Sequence, residues 1–489
     1  MMTSLTRRGF LAGLGAGAAL ASLPSSLWAA SAELRTPNIL ILITDDQRWD
    51  AMGVVQREQG DKARFPWFAT PNMDRLAAEG VRFRNAMVVN SLCSPSRACF
   101  LTGRYNHLNG IANNNTAFPT NSVTWASLLK DRSYVTGYIG KWHMGNQSGQ
   151  RPGFAWSASY VGHGRYSDCP VEVDGVFTPT KGWVDDASTD FAIEFMRKHQ
   201  DKPFALQVGF KSPHVPRTPP KRAKDRFAGA KARPVPNLNV PPGFRPGQKP
   251  GPELAGDTSP LPENTLDYFR CISAVDDNVG RLLAALDELK LADNTLVVFT
   301  SDNGYYMGEH MLGDKRSMYD ESLRIPFLVR LPGRIKPGTV EDGLTLNLDL
   351  APTLCELAGI EVPAATQGRS WLPLAEGRNA PRREAFLYEY FFENSYATPT
   401  IVGVRTTTDK LITYPGHNDW TEVFDLTADP FELRNLTTDQ AQAARLTALR
   451  ATLERERTTT GYQVPKYADR DGFQALGLKQ QTKKQGSNE

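Results

Sequence analysis

Two stretches set far apart in the chain decide most of what it can fold into. "NILILITDD" (38–46) and "TLVVFTSDNG" (295–304) are each an unbroken apolar run that stops abruptly on acids. A strand with one wet face alternates apolar and polar residues. An unbroken run predicts a strand buried on both faces, as in parallel sheets covered by helices. "YVTGYIG" (134–140), "PFALQVGF" (203–210) and "PFLVRL" (326–331) read the same way. Helical periods lie between them. "TPNMDRLAAEG" begins with Thr70 as cap and Pro71 at the first helical position, and stops at Gly80. "SVTWASLLKD" from Ser122, "NTLDYFRCISAVDDNVGRLLAALDELK" just before the second acid-tipped strand, and "DLAPTLCELAG" (349–359) continue the alternation. The pattern predicts an α/β fold: a large mixed, mostly parallel sheet sandwiched by helices.

The order changes after about residue 380. "REAFLYEYFF", "TIVGVRTTTDKLITY" and "TEVFDLTADPFELRNL" read as short strands with turn signals, followed by a helix near 440–457. The expected layout is a main domain over 33–380, a smaller α+β domain with an antiparallel sheet over 381–475, and a disordered tail over 476–489. Residues 217–253 are rich in proline and cations, and read either as a solvated excursion or as a loop bordering an anionic substrate site.

The N-terminus pairs Arg7 with Arg8, follows with Phe10-Leu11 and a mild Ala/Gly/Leu run, and ends in Ala30-Ser31-Ala32. That is the pattern of a twin-arginine export signal over 1–32, cut after Ala32. Its apolar run is too short and too glycine-rich to span a membrane, so the mature chain is expected to be periplasmic or secreted, without stable membrane insertion. Across 489 residues, 56 cations against 53 acids leave +3, two of which are Arg7 and Arg8. That balance gives no reason to expect a nucleic-acid partner. The five cysteines (Cys93, Cys99, Cys169, Cys271, Cys355) are few, odd in number and lack a CxxC spacing, which excludes a disulfide scaffold and a thiolate metal site.

Chemistry concentrates where strands end. In open α/β sheets, ligands bind beyond the carboxyl ends of the strands. Asp45 and Asp46 tip one strand, Asp302 and Asn303 another. If the two are neighbours, three carboxylates and an amide oxygen meet at one point, which is untenable without a cation. Oxygen ligands without histidine favour a hard ion, Ca²⁺ or Mg²⁺, over zinc. "GKWHMG" sets Lys141 and His143 two residues apart just past a strand, so that both can face one side of an extended segment. "KSPHVP" holds His214 between prolines, and "GDKRSMYDESLRIPF" carries Lys315 soon after the second acid pair. Lys141, Lys315 and Arg97 together suit a tetrahedral oxyanion.

Cys93-Ser94-Pro95-Ser96-Arg97, with Leu101-Thr102-Gly103-Arg104 behind it, resembles the C-x-P-S-R signature of type I sulfatases in the alkaline-phosphatase superfamily. Asp45, Asp46, Arg97, Lys141, His143, His214, Asp302, Asn303 and Lys315 fall in that family's order and local contexts, over about residues 37–436. The resemblance implies an alkaline-phosphatase-like fold and oxidation of Cys93 to formylglycine. It implies Ca²⁺ (Mg²⁺ less so) held by Asp45, Asp46, Asp302, Asn303 and side chain 93. Sulfuryl oxygens would be stabilised by Lys141, Arg97 and Lys315, the leaving alcohol protonated by His214 with Lys315, and a second hydroxyl deprotonated by His143. A formylglycine-generating enzyme and the twin-arginine machinery are the implied maturation partners. Without the resemblance, Cys93 reads as a buried thiol or as half of a disulfide with Cys99.

For substrate, "NGIANNNTAF" (109–118) resembles glucosamine-6-sulfatase-like members. The cationic excursion and the aromatic residues after His143 (Trp156, Tyr160, Tyr166) would suit a sulfated polysaccharide. A phosphonate monoester or phosphodiester hydrolase of the same superfamily, and a glycan-binding protein without turnover, are the alternatives.

Overall fold

The computed structural model describes residues 36–248, 260–393 and 396–465. The expected export signal and C-terminal tail lie outside the described residues. Ten strands form the main sheet, in the order Thr339–Glu341, Val81–Phe83, Phe327–Arg330, Thr295–Ser301, Asn38–Thr44, Phe204–Gly209, Val135–Lys141, Trp156–Tyr160, Val171–Val173 and Val176–Thr178. The central five, Thr295–Ser301 through Trp156–Tyr160, are all parallel; antiparallel pairs occur only toward the edges. This is the mixed, mostly parallel sheet the apolar runs predict.

The first strand shows why such runs are buried on both sides. Ile39, Ile41 and Ile43 enter one hydrophobic cluster, while Leu40 and Leu42 enter the other. The alternation follows from the two-residue period of a strand. The second cluster is covered by the long helix Glu263–Glu288 through Phe269, Ile272, Val275 and Val279. The first takes the wholly buried helix Cys93–Thr102 and the helix Leu350–Leu357. It runs on without a break into the four-stranded antiparallel sheet Ala385–Tyr390, Ile401–Thr406, Asp409–Thr413 and Glu422–Asp425, backed by Leu449 and Leu453 of the helix Ala443–Thr460. Fully burying each such aliphatic side chain is worth roughly 1.5–3 kcal/mol.

Register places the functional ends together. Thr44 pairs with Ser301, Ile43 with Gly209, Gly140 with Gly209, and Lys141 with Tyr160. The residues after those positions therefore emerge at one edge.

Several local expectations change. Thr70 makes no cap to its own helix Pro71–Glu79; its hydroxyl accepts from Gly53 N at 2.8 Å instead. Tyr160 and Tyr166 are buried and Trp156 packs on Phe195, so these rings belong to the core and offer no glycan platform. The excursion after residue 217 is also less free than its composition implies. Arg222 pairs with Asp186, Arg226 with Asp277, and Phe244 is buried in the first cluster. Its residues 249–253 lie outside the described residues. No helix among the described residues is long and apolar enough to cross a membrane.

Candidate active site

At the carboxyl edge Asp45, Asp46 and Asp302 each offer a carboxylate oxygen, all within 4.8 Å of one another and fully buried. Asp46 takes a left-handed backbone (φ 73°), which turns the chain so that its amide donates to Asp302 Oδ1 at 3.1 Å. Asn303 Nδ2 donates to Asp46 Oδ1 at 2.7 Å and to Gly304 O at 2.8 Å. Its Oδ1 and Asp46 Oδ2 are buried acceptors with no partner. Orphaned buried oxygens cost free energy unless something ligates them. Here they could complete an all-oxygen donor set of the kind that holds a hard cation.

Titration behaviour says the same. Burial would raise Asp45, but Lys141, Arg97 and Lys315 outweigh it and hold Asp45 well below the carboxylate range. Asp46 and Asp302 are instead pushed up by burial and by Asp45's charge, against Lys315 and Arg97 respectively, Asp302 to about 7. The two lysines and Arg97 match the three carboxylates charge for charge, yet burial still holds Asp46 and Asp302 above the carboxylate range, a cost that a bound cation would relieve.

Cys93 opens its helix beside this cluster, 0% exposed, with Sγ 3.6 Å from Asp45 Oδ1. Burial pushes its thiol pKa up, so as cysteine it is protonated and a poor nucleophile. All five cysteines are free, which removes the Cys93–Cys99 disulfide. Arg97, one helical turn on, donates from Nε to Asp302 Oδ2 at 2.9 Å and from Nη1 to Lys141 O at 2.8 Å, leaving Nη2 without a partner. The C-x-P-S-R spacing is thus a helical i,i+4 device that joins residue 93 to the second acid pair.

The cations close the ring. Lys141 Nζ donates to Asp45 Oδ2, and Lys315 Nζ to Asp46 Oδ1. His143 reaches the site through a left-handed turn (φ 50°) and not along an extended segment, which corrects the alternation expected for "GKWH". Burial and Lys141 keep it neutral, and its Nδ1 has no partner. His214 sits between the cis bonds Ser212–Pro213 and Val215–Pro216. Burial and Lys141 keep its ring neutral, and its Nδ1 donates to Val215 O at 2.6 Å, so Nε2, 3.9 Å from Asp46 Oδ2, is unprotonated.

Three further residues belong here that motif reading did not single out. Asp185 accepts from Lys211 N (2.7 Å), Ser212 N (3.1 Å) and Ser212 Oγ (2.6 Å), fixing the turn that carries His214. His163 lies between the rings of His143 and His214, and Lys211 Nζ donates to its carbonyl at 2.8 Å. A cleft of about 520 Å³ opens beside the cluster, lined by His143, His163, Asn113 to Asn115, Glu393 and Tyr396. Asn114 Oδ1 accepts from Ser94 N at 3.0 Å, which ties the cleft wall to the start of the Cys93 helix.

A buried oxygen cage, a side chain at a helix start and a ring of cations on this sheet are what hydrolysis of an anionic ester would need. A family model described as Sulfatase matches residues 37–360, and one described as N-sulphoglucosamine sulphohydrolase, C-terminal, matches 308–459. The chain is 30% identical over 482 residues to N-acetylglucosamine-6-O-sulfatase of Bacteroides thetaiotaomicron, with 83% of each chain covered. An ulvan-active sulfatase of Formosa agariphila is 32% identical over 423 residues, covering 82% of this chain and 77% of that one. The fold matches, at a TM-score of 0.78 and 30% identity, a protein solved with its substrate D-glucosamine-2-N,6-O-disulfate, over 87% of this chain and 98% of that one. The chain belongs to the sulfatase family, enzymes that hydrolyse sulfuric esters on an alkaline-phosphatase-like fold.

Proposed function

We propose that this sulfatase releases inorganic sulfate from a sulfated carbohydrate, with side chain 93 matured to formylglycine and Ca²⁺ bound at the acid cluster. The observation that carries the reading is convergence. Asp45, Asp46, Asp302 and Asn303 meet Cys93, Arg97, Lys141, His143, His214 and Lys315 at one buried edge. Four protein oxygens suit the flexible coordination of Ca²⁺ better than Mg²⁺, which keeps most of its waters. Side chain 93, as a hydrated aldehyde on that ion, would supply an attacking hydroxyl and a second hydroxyl through which sulfate is expelled.

The protein's own groups do the rest. Arg97 binds Asp302 and the Lys141 carbonyl at once, so it locks the second acid pair to the strand that delivers Lys141. Lys141 and Lys315 hold positive charge where sulfuryl oxygens accumulate charge. A sulfate monoester entering beside His214 favours its charged form. Its Nε2, bare in the neutral ring, then holds the proton that the departing sugar oxygen needs, help typically worth about 10²–10⁴-fold. His143, kept neutral, accepts a proton at its open Nδ1. A polar cleft with three asparagines and Glu393 suits sugar hydroxyls. The relatives' named substrates, N-acetylglucosamine 6-sulfate and ulvan, are sulfated carbohydrates too.

Cys93 is sealed in the folded chain, so a formylglycine-generating enzyme must reach it before folding, in the cytoplasm. The twin-arginine machinery, which carries folded proteins, would then deliver the finished enzyme to the periplasm or beyond. The test is sulfate release by protein co-produced with such an enzyme, on a panel of defined sulfated sugars beside a phosphonate monoester and a phosphodiester. Release from 6-sulfated N-acetylglucosamine, outpacing both phosphorus esters, is expected. Faster cleavage of a phosphorus ester, or no sulfate from any sugar at full maturation of residue 93, contradicts the reading.

A further inference from the structure

"VGHGRY" (161–166) is absorbed by none of the roles above, yet the fold is shaped around its histidine. The loop leaves the Trp156–Tyr160 strand at its carboxyl end, next to the strand that ends in Lys141. Gly162 and Gly164 both take left-handed backbone (φ 59° each), and a Cβ on Gly164 would lie 2.5 Å from the Tyr160 ring. Other residues are strained there, so the two glycines let the chain bend sharply on either side of His163. The bend sets the imidazole against two others, with centroids 3.8 Å from His143 and 4.7 Å from His214. Its Nδ1 comes 3.2 Å from Lys141 Nζ.

An ammonium group only donates, so Nδ1 must be the acceptor and the ring proton sits on Nε2. One of Lys141's three N–H groups goes to Asp45 and a second to His163. No third partner is present among the described residues. We propose that His163 is a positioning residue for sulfate-ester hydrolysis: it fixes the rotation of the Lys141 ammonium so that the remaining N–H is aimed at a sulfuryl oxygen. The inference rests on the sulfatase reading and adds a residue to its site. A lysine held only by Asp45 would sample other rotations, and misplacing such a donor by about 1 Å costs up to about 10²-fold.

Asparagine sets an acceptor oxygen near the place of Nδ1, whereas glutamine reaches the place of Nε2. His163→Ala, His163→Asn and His163→Gln are compared with the wild type on one sulfate ester, 4-nitrocatechol sulfate, at matched aldehyde content of residue 93. We expect H163A to lose about tenfold to a hundredfold in kcat with KM nearly unchanged, the mark of an interaction made in the transition state. H163N should recover most of that loss and H163Q little. An unchanged H163A, or recovery by glutamine as well as or better than by asparagine, or recovery by neither, overturns the proposal. Imidazole nitrogen NMR of histidine-labelled protein decides it independently of turnover. The His163 signal, assigned by its loss in H163N, should show an unprotonated Nδ1 that changes in K141M; a protonated Nδ1 overturns the proposal. A wild type inactive on every ester would sink the sulfatase reading alone, and the NMR result would still judge His163.

Discussion

The molecule buries charge in two places, for opposite ends. At the seam between the main sheet and the four-stranded sheet, Asp320 pairs with Arg405 at 3.0 Å and with Lys410 at 2.8 Å, and Lys410 pairs with Glu432 at 2.6 Å. Opposite charges answer one another, and Arg405 and Lys410 overcome burial to hold Asp320 well below its usual pKa. At the carboxyl edge of the main sheet the same residue types leave Asp46 Oδ2, Asn303 Oδ1, Arg97 Nη2 and His143 Nδ1 without partners. Asp320, Arg405 and Lys410 are paired and tie the two sheets together; the unpartnered atoms at the carboxyl edge are kept ready for a ligand at a cost in stability.

The contrast can be broken at either end. Cys93→Ala should abolish sulfate release, by on the order of 10⁴-fold or more, while the denaturant midpoint moves little. A large loss of stability would mean residue 93 is structural. Asp320→Asn should do the reverse and lose about 3–5 kcal/mol in unfolding, because Lys410 and Arg405 are left buried without an acid. Activity per folded molecule is expected to hold; loss of turnover at full folding would erase the distinction.

The seam carries its own exception, which sharpens the comparison. Glu422 accepts from the Tyr319 and Tyr414 hydroxyls at 2.6 and 2.7 Å, and burial pushes it up to about 7. The folded state therefore binds its proton more tightly than the unfolded chain does. Stability should fall as pH rises from the unfolded carboxylate value toward 7, and level off above. Glu422→Gln should remove that decline, gaining about 3 kcal/mol over wild type at pH 8 and nothing at pH 4. Parallel pH curves for the two proteins would show that Glu422 is ionised when folded. The smallest effect concerns the cation. Calcium at about a hundredfold its dissociation constant should add about 2.7 kcal/mol to wild-type stability and far less to Asp302→Asn, measured by unfolding with and without chelator. An equal calcium effect in both would remove Asp302 from the ligand set.

Much of this was legible in the sequence because it is written in local pattern. Apolar runs that end in acids announce buried strands and the charge at their tips, and register then brings Asp45 and Asp302 together. The C-x-P-S-R resemblance singled out Cys93 and Arg97, while the helix that turns their spacing into one turn came from the structure. What escaped depends on which loop lies over which. Asp185 acts through the amides of a turn from another part of the chain. His163 approaches Lys141 only because two glycines bend its loop inward, and the Gly-His-Gly triplet was the one available sign. Composition also misled. The cations after 217 read either as a solvated excursion or as the border of an anionic site, and Arg222 and Arg226 are in fact tied to acids on neighbouring helices. Trp156, Tyr160 and Tyr166 read as a sugar platform until the sheet showed them packed inside it.

The central claim is that residue 93 is a matured nucleophile seated against the acid cluster, and mass spectrometry of the tryptic peptide 85–97 tests it most directly. In protein made with a formylglycine-generating enzyme the account predicts an aldehyde at 93, in a fraction that tracks the rate of sulfate release across preparations. A peptide that stays a thiol while the enzyme turns over at full rate would contradict it.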